Sequence, residues 1–288
     1  MFMSQRYASW WAFWYSKGLY VLVALLMAAT IILTTPQASQ GRSWLDLLFQ
    51  GVQVIQLSRL SDNQEVQLGQ QINQVLLKEG KVELYRNDQI NRYVTSIGQR
   101  LAKSSDRPNI PYTFQVVNDD AVNAFATMGG FVYVHTGLME KVSNEAELAS
   151  VLAHEIGHIV GHHALEKMRK TAITQGLLTA AGLDRQTFVQ LGVQLAYSLP
   201  NSRGAELEAD QLGLQNLKRA GYAPIAMLTF MEKLIKYSSS APEFLSSHPA
   251  TPDRIEALRA SIDPATANQG DGLNEKSYRN FVKPLVAK

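Results

Sequence analysis

Two histidines and one glutamate in the middle of the chain have the residue types and spacing of a metal site that uses water to break a bond. The stretch His154–His158 is an H-E-x-x-H motif. On a helix, side chains four residues apart lie on one face, so both imidazoles can reach a single zinc ion. Zinc makes its bound water more acidic, and Glu155 stands beside the first ligand, where it can take the proton. We therefore predict that Glu155 is the general base of a hydrolase.

The residues around this motif predict a buried helix rather than a polar stripe on an exposed one. Apolar side chains surround the motif at Leu148, Val151, Leu152, Ile156, Ile159 and Val160. Buried histidines and carboxylates need partners, and a metal ion supplies them.

A catalytic zinc ion needs three protein ligands, so a third must come from elsewhere in the chain. The longer pattern H-E-x-x-H-x-x-G-x-x-H fails because Ala164 occupies its last position. Glu206 is the better candidate, since it opens a new helix after Pro200 and shares a helix face with Asp210. Glu206 then binds the metal, and Asp210 hydrogen-bonds the free ring nitrogen of a ligand histidine. The alternative is an acidic first turn that favours the helix dipole.

His248 lies in a Ser-Ser-His-Pro loop stiffened by Pro249 and Pro252. Three interpretations stay open for it. It is a fourth ligand that closes the resting site, a hydrogen-bond donor to the oxyanion, or a turn histidine bonded to backbone. We predict that it lies near the metal and do not choose between ligand and donor.

Other polar residues near the motif have weaker signals. Arg203, just before Glu206, is a candidate to stabilise the oxyanion or bind substrate, although pairing with a nearby acid is the safer interpretation. His162 and His163 fit packing or support of a ligand better than metal binding. An edge strand for extended substrates is predicted at Gly130, Phe131, Val132 and Tyr133, and an ordinary hairpin strand fits equally well.

Hydrophobic periodicity predicts an α+β fold that is mainly helical, with a small sheet beside the motif helix. The predicted helices cover 61–103, 145–170, 171–182, 186–198, 205–219, 224–237 and 253–261. The predicted strands cover 112–117 and 131–135. Residues 264–288 are predicted to form a loose C-terminal tail.

The N-terminal 40 residues predict a membrane-directed segment. An uncharged, mostly apolar run, Leu19–Leu33, follows Arg6, Lys17 and a cluster of aromatic residues. This run is near the lower length limit of a spanning helix, about 17 residues. We favour an uncleaved anchor in the inner membrane, with a cleaved signal as the alternative. Either way, the rest of the chain is predicted on the periplasmic or another extracytoplasmic side.

Composition excludes several other function classes. The chain has 27 basic and 25 acidic residues, so its net charge of +2 gives no reason to expect a nucleic-acid partner. It has no cysteine, so a catalytic thiol and thiolate ligands are excluded. A metal must therefore be held by His, Asp or Glu.

Four segments in order resemble the M48 family of zinc metallopeptidases. They are Asn123–Leu138, Glu147–His163, Ser202–Asp210 and Ser247–Ile255. The resemblance implies one zinc ion bound by His154, His158 and Glu206, with Glu155 catalytic and Asp210 supporting a ligand. It is closest to periplasmic members that act on outer-membrane and envelope proteins.

We therefore predict a zinc-dependent endopeptidase that hydrolyses internal peptide bonds of misfolded or unassembled envelope and membrane proteins. Its catalytic domain is predicted at 41–263, between the segment 1–40 and the tail 264–288. A metal-binding chaperone or scaffold is one alternative, but a scaffold does not need the base Glu155. A different zinc hydrolase built on the same helix is another, and the ordered downstream motifs disfavour it.

Overall fold

Helices pack against a small sheet in the computed structural model of the protein, which describes residues 54–55, 60–177, 183–198, 200–236 and 243–286. The strands are β1 (Val54–Ile55), β2 (Thr113–Val117), β3 (Ala124–Thr127), β4 (Phe131–His135) and β5 (Leu183–Asp184). The helices are α1 (Asp62–Lys78), α2 (Asp88–Ser104), α3 (Thr136–Lys141), α4 (Glu145–Val160), α5 (His163–Thr174), α6 (Arg185–Ser198), α7 (Arg203–Arg219), α8 (Ile225–Lys236), α9 (Glu243–Ser247), α10 (Pro252–Ser261) and α11 (Glu275–Val286). The predicted class, α+β and mainly helical, is confirmed.

The three-stranded sheet has the order β2–β4–β3 and divides the core in two. β4 pairs parallel with β2 and antiparallel with β3. Successive side chains of a strand point to opposite faces. Val132 and Val134 of β4 accordingly join one hydrophobic cluster, while Phe131 and Tyr133 join the other.

The predicted edge strand at Gly130, Phe131, Val132 and Tyr133 is wrong. Gly130 belongs to a short 3-10 turn, and the other three residues pair with strands on both sides. The physical reason is that an unbroken apolar run suits a strand buried on both faces, as β4 is. Among the described strands β3 pairs only with β4, so β3 and not β4 is an outer strand.

Helix α4 carries the H-E-x-x-H motif through the middle of the core. Asn144 caps its start by accepting a hydrogen bond from the N–H of Glu147. From Ala146 to Ile159 every residue of α4 is buried, which confirms the predicted buried helix.

The break after α4 corrects the single helix predicted over 145–170. His162 adopts a left-handed backbone with φ of 54°, and α5 starts only at His163. Arg107 stabilises the break by donating a hydrogen bond to the carbonyl of Ile159 at 2.9 Å. This contact comes from a distant part of the chain, so helical periodicity did not predict it.

Helices α4 and α7 approach so closely that a Cβ would clash at one glycine of the contact and would be tightly packed at another. A Cβ on Gly157 would lie 2.6 Å from the carbonyl oxygen of Ala209. A Cβ on Gly213 would lie 3.0 Å from the Cα of His154. This backbone contact brings the histidines of α4 within reach of the acidic residues of α7.

The predicted loose tail also differs from the structure, because residues 275–286 form α11 and pack on the core. Tyr278, Val282 and Leu285 make one buried stripe, and the Tyr278 hydroxyl donates to the carbonyl of Met139 at 2.5 Å. Most residues of this segment are polar, and its few apolar residues fall on one face of the helix, which composition alone does not show.

The predicted membrane segment, with its run Leu19–Leu33, lies outside the described residues. Within the described part of the chain, no helix combines the length and apolar character needed to cross a bilayer.

Candidate metal centre

Four buried side chains from α4, α7 and the loop after α9 converge on one point. They are His154, His158, Glu206 and His248, and one donor atom of each lies within 4.8 Å of the others. The Nε2 atoms of His154 and His158 are 3.1 Å apart, and Nε2 of His158 is 3.2 Å from Oε1 of Glu206. Ligands about 2.0 Å from a tetrahedral zinc ion lie about 3.3 Å from each other. The donor types and their spacing therefore fit zinc.

Helix α7 begins in a way that aims Glu206 at the two histidines. Ser202 caps the helix by accepting a hydrogen bond from the N–H of Ala205, which places Glu206 in the first turn. One turn later, Oδ1 of Asp210 lies 2.9 Å from Nδ1 of His154. The structure thus brings Asp210 to the Nδ1 atom of His154, and its role in supporting a metal ligand stays a prediction.

The two histidines of α4 have opposite protonation preferences without a metal bound. Burial disfavours charge on His154, but hydrogen bonds to Asp210 and Glu206 outweigh it and raise its pKa to about 10. For His158 burial dominates and lowers the pKa to about 3. Burial also opposes charge on Glu206, yet His248, His154 and His158 together hold the pKa of that carboxyl well below its usual range.

Arg254 is a central residue of the site to which sequence reasoning assigned no role. Its guanidinium is 1% exposed and donates two hydrogen bonds to Asp210, at 2.6 and 2.8 Å. A third contact joins it to Glu206 at 2.7 Å, and it donates to the carbonyl of Pro249 at 2.9 Å. Its charge holds the pKa of Asp210 below the usual range although burial raises it. Its role could have been suspected from the sequence, because Arg254 follows His248 closely and the two acids on one face of α7 need a positive partner.

His248 lies inside the cluster of possible metal ligands. Its Nδ1 atom is 3.1 Å from Oε1 of Glu206 and 3.3 Å from Nε2 of His154. Its other ring nitrogen, Nε2, is 3.5 Å from Oε1 of Glu155. The ring of Phe244 stacks on the imidazole with centroids 4.5 Å apart and fixes its plane.

Glu155 is fully buried at the rim of this cluster. Neither of its oxygens has a hydrogen-bond partner among the described residues. Burial raises the pKa of its carboxyl. A buried carboxylate without a hydrogen-bond partner is costly to the fold, so its presence points to a role in chemistry or ligand binding.

His163 contacts His158 of the cluster, whereas His162 contacts Glu65. Nδ1 of His163 is 2.8 Å from Nδ1 of His158, and its Nε2 is 3.4 Å from the exposed carboxylate of Glu208. His162 instead lies 3.1 Å from Glu65. Neither residue belongs to the group of possible metal ligands found in the described residues.

Of the two interpretations of Arg203, the structure supports the ion pair with a nearby acid. Its guanidinium is exposed and donates to the carboxylate of Asp253 at 2.7 Å.

Comparisons with known proteins give a family match and several similar proteins. The model of peptidase family M48 matches residues 88–262, which contain every residue of the cluster. The beta-barrel assembly-enhancing protease of Escherichia coli K12 is 35% identical over 222 residues, covering 70% of this chain and 44% of that protein. The mitochondrial metalloendopeptidase OMA1 of Arabidopsis thaliana is 37% identical over 161 residues, covering 54% of this chain and 33% of that protein.

A third relative matches over most of its own length. The metalloprotease LoiP of Escherichia coli K12 is 26% identical over 246 residues, which cover 82% of this chain and 96% of LoiP. By contrast, the chain spans less than half of the beta-barrel assembly-enhancing protease. The family model covers more than half of the chain and includes the whole site. The chain therefore belongs to peptidase family M48.

Proposed function

We propose that this chain is a metalloendopeptidase that uses zinc, held by His154, His158 and Glu206, with Glu155 as general base. The observation that carries this proposal is the fully buried Glu155 carboxylate, which has no hydrogen-bond partner among the described residues and lies beside four converging donors. A bound zinc ion would supply a Lewis acid for the scissile carbonyl and make water more acidic.

The protein's own residues have distinct tasks in the proposed reaction. Glu155 takes a proton from the attacking water and returns it to the leaving amide nitrogen. Asp210 fixes the ring of His154 so that Nε2 faces the cluster, at the 2.9 Å contact described above. Arg254 balances the two carboxylates of α7 and prevents them from repelling each other.

Extended substrates are proposed to align along β3. Ala126 and Thr127 of this outer strand line the same cavity as Glu155. A polypeptide that adds to the outer strand gains main-chain hydrogen bonds without requiring one particular sequence. That property suits an endopeptidase for unfolded segments.

The proposed substrates are misfolded or unassembled proteins of the cell envelope. Two observations support this: the apolar N-terminal run that follows Arg6 and Lys17, and the relative named beta-barrel assembly-enhancing protease. In this proposal the catalytic domain lies on the periplasmic side, joined to an anchor or released from a cleaved signal. A C-terminal reporter that is active only in the cytoplasm would contradict that location.

Metal analysis combined with casein digestion tests the metal assignment. The purified wild-type protein should carry about one zinc ion per chain and digest casein, and a chelator should stop the digestion. His158→Ala should lose both zinc and activity. Full zinc retention by a variant in which both His154 and His158 are alanine would refute the site.

A further inference from the structure

A buried carboxylate of α1 lies in the wall of the cavity beside the metal cluster, although it is not one of the possible metal ligands. Glu65 is 3% exposed and lines the same cavity as Glu155. A carboxylate is costly to bury unless positive charge and hydrogen-bond donors surround it. Contacts from three separate segments of the chain meet Glu65, through Arg107, Gly129 and His162.

Arg107, from the loop after α2, supplies the positive charge. Its guanidinium donates to both oxygens of Glu65, at 2.9 and 3.2 Å, and such two-pronged pairs have a fixed geometry. The same guanidinium donates to the carbonyl of Ile159, near the end of α4, at 2.9 Å. Through one arginine, Glu65 is therefore connected to the helix that carries the H-E-x-x-H motif.

A second connection runs from Glu65 to the 3-10 turn Met128–Gly130, which joins β3 to β4. The N–H of Gly129 donates to Oε1 of Glu65 at 3.3 Å. Helix α1 and this turn also touch backbone to backbone. A Cβ on Gly129 would lie 2.8 Å from the carbonyl oxygen of Glu65, and a Cβ on Gly69 would lie 2.2 Å from that of Met128. The turn that ends β3 is therefore held closely against α1.

A third contact joins Glu65 to the break after α4. Nδ1 of His162 is 3.1 Å from Oε2 of Glu65. In the described part of the chain, His162 is the one non-glycine residue with a positive φ. This backbone conformation is costly for a residue with a Cβ, so the contacts around it must hold it in place. Glu65 thus reaches the end of α4 directly as well as through Arg107.

We propose that Glu65 and Arg107 are positioning residues that set the place of β3 relative to Glu155. The inference rests on the proposed function, in which an extended substrate aligns along β3 and Glu155 is the base. The Glu65 carboxylate binds the turn that ends β3 and, through Arg107, the end of the helix that carries Glu155. Misplacement of a substrate by about 1 Å can cost about 10²-fold in rate, so this connection should matter for every substrate that lies on β3.

Glu65→Gln in the zinc-loaded full chain tests the proposal, because the amide keeps the size of the side chain and loses the charge that holds Arg107. A long peptide that can lie along all four residues of β3 is compared with the shortest truncation of it that the wild-type protein still cleaves. In Glu65→Gln the ratio of kcat/KM, long over short, should fall at least about tenfold. A purely stabilising role would change the cleavage of both peptides equally.

Glu147→Gln is the matched control. Glu147 is also 3% exposed, accepts a hydrogen bond from the N–H of Ser143 at 2.7 Å and pairs with Lys233, but it does not line the cavity. This variant loses a similar buried ion pair, so its unfolding free energy should fall while its long-over-short ratio stays at the wild-type value.

An unchanged ratio in Glu65→Gln, or the same fall in Glu147→Gln, overturns the positioning role and leaves the proposed function standing. If zinc-loaded wild type cleaves no peptide, the proposed function itself is contradicted. Arg107→Lys keeps the proposal falsifiable should Glu65→Gln fail to fold. Lysine keeps the charge but cannot bind Glu65 and Ile159 with the fixed fork of arginine, so the ratio should fall in the same direction. A wild-type ratio in Arg107→Lys overturns the role of Arg107.

Discussion

Nδ1 of His154 lies 2.9 Å from Oδ1 of Asp210, whose carboxylate in turn accepts two hydrogen bonds from Arg254. This contact fixes the ring of His154 so that Nε2 points at His158 and Glu206. Helix α7 therefore contributes twice to the site, through one residue in the cluster and one residue behind it.

Asp210→Asn should weaken zinc binding by about 10- to 100-fold, because the amide holds the ring of His154 less firmly and carries no charge. Competition with a chromophoric chelator measures the affinity directly. Asp253→Asn is the control, since Asp253 is in an exposed ion pair with Arg203 outside the cluster. Equal zinc affinities for Asp210→Asn and wild type would show that Asp210 does not support the metal.

Gly157→Ala should destabilise the protein by about 1–3 kcal/mol, as overpacking does, and should also weaken zinc binding. Alanine is the better helix former by about 1 kcal/mol, so the local effect alone predicts stabilisation. The new Cβ lies 2.6 Å from the Ala209 carbonyl oxygen, and the cost of this clash should exceed the gain in helix propensity. Urea unfolding and zinc titration measure the two effects.

Gly204→Ala provides the matched control on α7, because a Cβ there meets no described atom within 4 Å. It should leave zinc binding unchanged and not lower the unfolding free energy. If both glycine variants were equally stable, the close approach of α4 and α7 would not be needed.

Zinc binding should release at least one proton at neutral pH. Without metal the pKa of His154 is raised to about 10, so its ring is protonated at pH 7 and must lose that proton to become a ligand. His158, with a pKa lowered to about 3, is already neutral and releases none. The apparent zinc affinity should therefore rise between pH 6 and 9, by up to about tenfold per pH unit. Calorimetry in buffers of different ionisation enthalpy counts the protons, and a count of zero would contradict this protonation state.

His248→Ala should raise proteolysis at saturating zinc. In this structure Nδ1 of His248 lies among the donor atoms and Nε2 lies 3.5 Å from Glu155, so His248 covers both the metal site and the base. Removing the ring frees both for substrate and water. A loss of activity of about 10²-fold or more with zinc retained would assign His248 to the oxyanion instead. Unchanged activity with lower thermal stability would leave it a structural role.

Local spacing was enough to predict the parts of the site that belong to one helix. His154 and His158 are one turn apart on α4, as are Glu206 and Asp210 on α7, and the structure brings these pairs together. The role of Arg254 was missed because it depends on α10 returning to α7, which periodicity does not encode.

The errors in the fold have the same origin. β4 was taken for an edge because its strand partners come from separate segments, β2 and β3. The helix predicted over 145–170 is broken where Arg107 and Glu65, both distant in sequence, hold Ile159 and His162. Long-range contacts decided each of these features.

Proteolysis by Glu155→Gln at full zinc occupancy shows whether Glu155 is the general base of a zinc-dependent reaction. The substitution keeps the size of the side chain and removes the base, and none of the four donors is changed. Zinc content should equal that of wild type, and casein turnover should be at least about 10²-fold lower. Near-normal turnover by zinc-loaded Glu155→Gln would contradict this role, because another group would then have to be the base.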